Sequence, residues 1–145
     1  ALQRIRDYIN RPTPGFTDIA ALEAHLRNIH APFGSLSDAE WRHLAETSAR
    51  RDAEGTLRLH YDPAITQAFS SDDIADIDLS PFWAAIAIPV LILRGVSSDI
   101  LPAAIAAEMA LKPKAQLLEI ADAGHAPALM APDQIAAIQD FLNTP

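Results

Sequence analysis

The sequence predicts an α/β chain in which a helical first half precedes a strand–helix–strand–helix unit with parallel strands. Three observations carry this. Ile88-Pro89-Val90-Leu91-Ile92-Leu93-Arg94-Gly95 is a short, continuous aliphatic run ending in glycine, as in a strand buried on both faces of a parallel sheet. Ala115-Gln116-Leu117-Leu118-Glu119-Ile120 is a second strand, and the helical stretch between the two supplies the crossover that parallel neighbours require. Earlier in the chain, apolar residues recur three and four apart, the period of helices.

In order, Leu2, Ile5 and Ile9 sit at helical spacing, and Arg11-Pro12-Thr13-Pro14-Gly15 stops that helix. Thr17 and Asp18 open a second, with Ile19, Leu22, Leu26 and Ile29 as its apolar stripe and Pro32 and Gly34 as its breakers. Ser37-Asp38-Ala39-Glu40 is a capping-box sequence, a hydroxyl followed three residues later by a carboxylate. It opens a third helix carrying Trp41, Leu44 and Ala45, expected to run to about Arg50-Arg51. Gly55 leads into the alternating, extended segment Leu57-Arg58-Leu59-His60-Tyr61, and Asp62-Pro63 ends it. A short helix through Ile65 and Phe69 and a hinge at Ser70-Ser71-Asp72-Asp73 complete the first half. In the second half, Pro102 to Leu111 is the crossover helix, with Ile105, Ala106 and Met109 inward. Pro132 to Leu142 is the last helix, with proline in its first turn and Ile135, Ile138 and Leu142 on one face.

Composition narrows the function classes. The 145 residues are 50% hydrophobic and 21% charged, which excludes a disordered or collagen-like chain. The net charge of −8 repels phosphates, so no nucleic-acid partner is expected. No apolar run reaches the roughly 18–20 residues of a spanning helix, so no membrane partner is expected, and the charged start of the chain fits a cytoplasmic protein. The lack of an initiator methionine suggests a processed chain or a fragment. There is no cysteine, so disulfides and thiolate metal sites are excluded. His25 and His30 stand five apart, on different faces of a helix and unlike the four-residue spacing of a zinc helix, so a solvated face is expected for both. Trp41 is expected to pack in a core, and His60 to stand near the boundary of the two halves.

Two turns follow the expected carboxyl ends of the strands, the edge at which open α/β sheets bind ligands. One is Gly95-Val96-Ser97-Ser98-Asp99, the other Ala121-Asp122-Ala123-Gly124-His125-Ala126-Pro127. Asp99 and His125 are separated by 26 residues, room for one helix and one strand, so they are expected side by side on adjacent strands. A carboxylate bonded to one ring nitrogen fixes the tautomer of a histidine and stabilises the imidazolium formed when the other nitrogen takes a proton. Asp99 alone also suits a helix cap, and Asp122 is a second candidate for the acid.

These residues resemble the C-terminal end of the α/β-hydrolase superfamily. The resemblance rests on Pro89 to Gly95 with Ser98-Asp99, on Gly124-His125-Ala126-Pro127, and on Pro132 through Phe141-Leu142. Gly55-Thr56-Leu57-Arg58-Leu59-His60-Tyr61-Asp62-Pro63 resembles the return segment of the helical cap found in such enzymes. The resemblance implies a cap over residues 1–78 and the C-terminal part of the core over residues 79–145, with Asp99 as triad acid and His125 as general base. It implies neither a metal nor an organic cofactor. By position, Trp83, Leu101, Pro127 and Leu129 are expected to line the pocket for a small-molecule substrate.

The sequence contains no Gly-x-Ser-x-Gly elbow. Gly95-Val96-Ser97-Ser98-Asp99 begins like one and departs at its fifth residue, which leaves Ser97 as a minor candidate nucleophile. The expectation is therefore half of a serine-type hydrolase for an ester, lactone or related acyl substrate, inert alone because nucleophile and oxyanion hole lie elsewhere. Its exposed sheet edge is expected to pair with the missing N-terminal half or with a second copy. An Asp nucleophile would instead give an epoxide or haloalkane hydrolase, a cofactor-free lyase or oxygenase is open on the same fold, and a non-catalytic binding module is the reading from another class.

Overall fold

A computed structural model describes residues 14–62, 64–65 and 78–144. The expected helix at Leu2–Ile9 and the hinge at Ser70–Asp73 lie outside them, as does the Phe69 end of the short helix through Ile65. The order of elements is α1 (Ile19–Ile29), a 3₁₀ turn (Ala31–Phe33), α2 (Asp38–Ser48), β1 (Ala49–Arg51), β2 (Leu57–Leu59), α3 (Ser80–Ala85), β3 (Val90–Gly95), α4 (Ala103–Ala110), β4 (Ala115–Ile120) and α5 (Pro132–Asn143).

The helical part folds around Phe16, Leu22, Leu26, Trp41, Ala45 and Leu57. Both helix starts are chemically specified. The Asp18 carboxylate accepts the Ala21 N–H at 2.8 Å. At α2 the capping box forms as expected, with Glu40 N–H donating to Ser37 Oγ and Ser37 N–H donating to Glu40 Oε2 at 2.7 Å. This α2 stops at Ser48, three residues short of the expected Arg51, because Ala49–Arg51 pairs antiparallel with Leu57–Leu59. The turn between them is held by Asp52, whose carboxylate accepts the Thr56 N–H at 2.8 Å and Arg58 Nε at 2.6 Å. Gly55 closes it at φ +81°, a conformation that a side chain disfavours.

The second part is the expected strand–helix–strand–helix unit. Strands β3 and β4 pair in parallel, from Val90↔Ala115 to Gly95↔Ile120, with α4 as the crossover. The six-residue helix α3 was not expected, being too short to show a period; Lys112 Nζ caps it by donating to the Trp83 and Ala84 carbonyls at 2.8 and 2.9 Å. Two strands cover little surface, and this corrects the expected inward faces. Ala106 is buried, yet Ile105 is 46% exposed, and α5 buries no residue, with Leu142 72% exposed. Leu79, Phe82, Ile88 and Leu111 are exposed as well. Among the described residues no helix is long and apolar enough to cross a membrane.

Candidate active site

The acid turn is built by strand β3 and fixed by Arg94. This arginine is 5% exposed. Its Nε donates to the Leu101 carbonyl at 2.8 Å, Nη2 to the Val96 carbonyl at 3.1 Å, and Nη1 to Glu119 Oε1 at 2.7 Å across the sheet. The loop from Val96 to Leu101, which carries Asp99, is thus pinned at both ends by one guanidinium. The Ser98 hydroxyl accepts the Leu101 N–H at 3.1 Å and tightens it further. Sequence reading missed this role, because the guanidinium addresses backbone carbonyls, which no side-chain motif announces. Arg94→Met is expected to cost about 2–3 kcal/mol in a urea titration, since it removes three hydrogen bonds from a charged donor, a kind that contributes about 1.5–3 kcal/mol each and less where the acceptor is partly exposed.

The histidine turn lies directly against the acid turn. Ser97 N–H donates to the Ala123 carbonyl at 3.0 Å, and Val96 N–H to the Ile120 carbonyl at 2.9 Å. The two turns pack so closely that Gly95 has no space for a Cβ, which would fall on the Gly124 carbonyl oxygen. His125 leaves this turn exposed, five residues beyond β4, as Asp99 is exposed four residues beyond β3.

Asp99 and His125 line one cavity of about 610 Å³. Its floor comes from Ser97, Asp122, Ala123, Gly124 and Ala126, and its roof from Ile29, His30, Pro32 and Phe33 at the end of α1. The His30 ring stacks on Phe33 with centroids 4.1 Å apart. Burial first, and then the neighbouring His25, hold the His30 imidazole below its ordinary pKa, which favours the neutral ring at neutral pH. Both helix histidines are half-buried rather than solvated as expected, His25 being packed on Phe16 at 5.0 Å. His60 is exposed at the end of β2. Among the described residues no group of His, Asp and Glu is arranged to hold a metal ion.

None of the four residues expected to line the pocket is among the residues lining this cavity. Trp83 belongs to α3, which leads into the amino end of β3, and its ring lies 5.6 Å from Lys112 Nζ, just before β4. A six-residue strand is about 20 Å long, so Trp83 sits at the far end of the sheet from Asp99. Leu101 braces the acid loop through its backbone. Pro127 and Leu129 are half-buried beyond His125 and are not among the lining residues. Ser97 does line the cavity, on a turn rather than at the start of a helix.

Similarity to known proteins runs along almost the whole chain. Residues 6–138 match the alpha/beta hydrolase family. The chain is 34% identical to a 3-hydroxybutyrate-oligomer hydrolase of Cupriavidus necator, over 99% of this chain and 52% of that protein. Among solved structures, an alpha/beta hydrolase from Novosphingobium aromaticivorans superposes with a TM-score of 0.83 at 32% identity, over 97% of this chain and 50% of that one. E-2-(acetamidomethylene)succinate hydrolase superposes with a TM-score of 0.75 at 26% identity, over 99% of this chain and 52% of that one. The chain spans about half the length of each of these relatives. The match over residues 6–138, which runs through both halves and includes the parallel strand pair, shows that the chain belongs to the alpha/beta hydrolase family.

Proposed function

We propose that this chain supplies the acid and the base for serine-type hydrolysis of an ester, lactone or related small acyl substrate. His125 takes the proton of a serine carried by a segment outside these 145 residues. Asp99 orients the imidazole and stabilises the imidazolium, which gives its proton to the departing alcohol as the serine takes the acyl group; a water deprotonated by His125 then releases the acid, and the proton returns to the serine. The observation that carries the reading is the cavity that Asp99 and His125 both line, beyond the carboxyl ends of neighbouring parallel strands. The relative named as a 3-hydroxybutyrate-oligomer hydrolase favours acyl chemistry, because an oligomer of a hydroxy acid is joined by ester bonds. Residues 1–78 act in this reading as the cap over the site and residues 79–145 as part of the core. The exposed Leu79, Phe82, Ile88 and Leu111 then face the remainder of the sheet or a second copy.

The test is turnover of p-nitrophenyl butyrate. The 145-residue chain is expected to give no hydrolysis above buffer, and the protein that also carries the nucleophile to give saturable hydrolysis. Turnover by the short chain that disappears on Ser97→Ala would move the nucleophile to Ser97 and overturn the proposal.

A further inference from the structure

The turn that carries His125 is fastened to the roof above it at three points. Gly124 N–H donates to the Pro32 carbonyl at 2.7 Å, immediately before the histidine. Ala128 N–H donates to the Phe33 carbonyl at 2.9 Å, three residues after it. The third point is a side chain: the Asp122 carboxylate accepts the Ser35 N–H at 2.7 Å. The two backbone bonds depend only on chain path, whereas the third depends on residue 122 having an acceptor of this length. The carboxylate also packs beside Gly34, whose added Cβ would stand 3.5 Å from Oδ2. It therefore grips the segment that follows the roof residues Pro32 and Phe33.

We infer that Asp122 is a positioning residue that clasps the roof to the histidine turn and so sets the clearance between His125 and the roof residues Pro32 and Phe33. The inference rests on the proposed role of His125. A carboxylate accepting a backbone N–H makes one of the stronger hydrogen bonds available to a protein. The Ser35 backbone, and then its side chain, hold the Asp122 carboxyl below the usual aspartate range, so the clasp persists throughout the pH range in which an imidazole base works. A misplacement of about 1 Å at a reacting group costs up to about a hundredfold in rate, so a clasp of this kind acts on chemistry as well as on shape.

Amide hydrogen exchange on the 145-residue chain tests the clasp without reference to activity. Asp122→Ala is expected to speed exchange at Gly124 and Ala128 by about tenfold or more, while Ile92 and Leu118 in the strands keep their wild-type rates. Asp122→Asn retains an acceptor oxygen and is expected to restore slow exchange to within about threefold. Asp122→Ser, too short to reach Ser35, gives the same reading as alanine should the alanine variant fold poorly. In the nucleophile-bearing protein, Asp122→Ala is expected to lower kcat about tenfold for p-nitrophenyl butyrate and less for the longer octanoate ester, with asparagine recovering most of it. Unchanged exchange at Gly124 and Ala128 in both the alanine and serine variants overturns the clasp. Equal losses for the two esters, with no recovery by asparagine, overturn its role in setting the clearance. Full activity in His125→Gln would instead refute the proposed function and leave the exchange result standing.

Discussion

His125→Gln in the nucleophile-bearing protein is expected to lower kcat for p-nitrophenyl butyrate by about 10⁴-fold or more, with KM changed by less than about threefold. Glutamine fills similar space and keeps hydrogen-bonding capacity, but it cannot take a proton at neutral pH. The loss therefore falls on the transition state rather than on binding. Asp99→Asn is expected to lose about as much, because an amide cannot stabilise the imidazolium and presents the wrong partner to the ring nitrogen. The two changes together are expected to cost little more than either alone, since in the proposed mechanism acid and base act on one proton transfer. The same series decides between the two candidate acids. The Asp122 carboxylate is engaged by Ser35 N–H, so Asp122→Asn is expected to stay within about threefold of wild type. A mild Asp99→Asn beside a severe Asp122→Asn would reassign the acid.

The strand pair was legible because an apolar run ending in glycine has few other readings, and the two turns were legible because sites gather at the carboxyl edge of such strands. What escaped had no local signal. Arg50 and Arg51 follow α2 without a breaker, so only pairing with Leu57–Leu59 turns Ala49–Arg51 into a strand. Helix α3 is six residues long, less than two turns of pattern. The roof of the cavity comes from Ile29 to Phe33, which read as a helix end and its breakers. It reaches His125 only through tertiary bonds such as Gly124 N–H to the Pro32 carbonyl. Trp83 was drawn toward the pocket by closeness in sequence to β3. A residue that precedes a strand stands at its amino end, and the cavity is at the other.

Gly95→Ala is expected to lower stability by about 3 kcal/mol or more, the range of core overpacking that the surroundings cannot relieve. At a urea slope near 2 kcal/mol/M this moves the unfolding midpoint down by about 1.5 M. The new methyl would meet the carbonyl oxygens of Ala123 and Gly124 and stand 2.6 Å from the Ala123 carbonyl carbon. These are backbone atoms with nowhere to rotate. The Ala123 carbonyl already accepts Ser97 N–H, and Gly124 N–H already donates to Pro32, so the turn cannot withdraw without breaking bonds to the acid loop and to the roof. Gly15→Ala is the control of equal chemistry. The three atoms nearest its Cβ all belong to side chains: the Thr56 methyl at 2.6 Å, which can turn away, and the Arg58 guanidinium at 3.9 Å in ordinary contact, so the expected cost is below about 1 kcal/mol. The contrast separates a general penalty for adding a methyl from the specific closeness of the two turns. An unchanged midpoint in Gly95→Ala would mean that the acid and histidine turns do not touch. If they do touch, the folded fraction of that variant also loses hydrolysis in the nucleophile-bearing protein, because the atoms that must move are those from which His125 is hung.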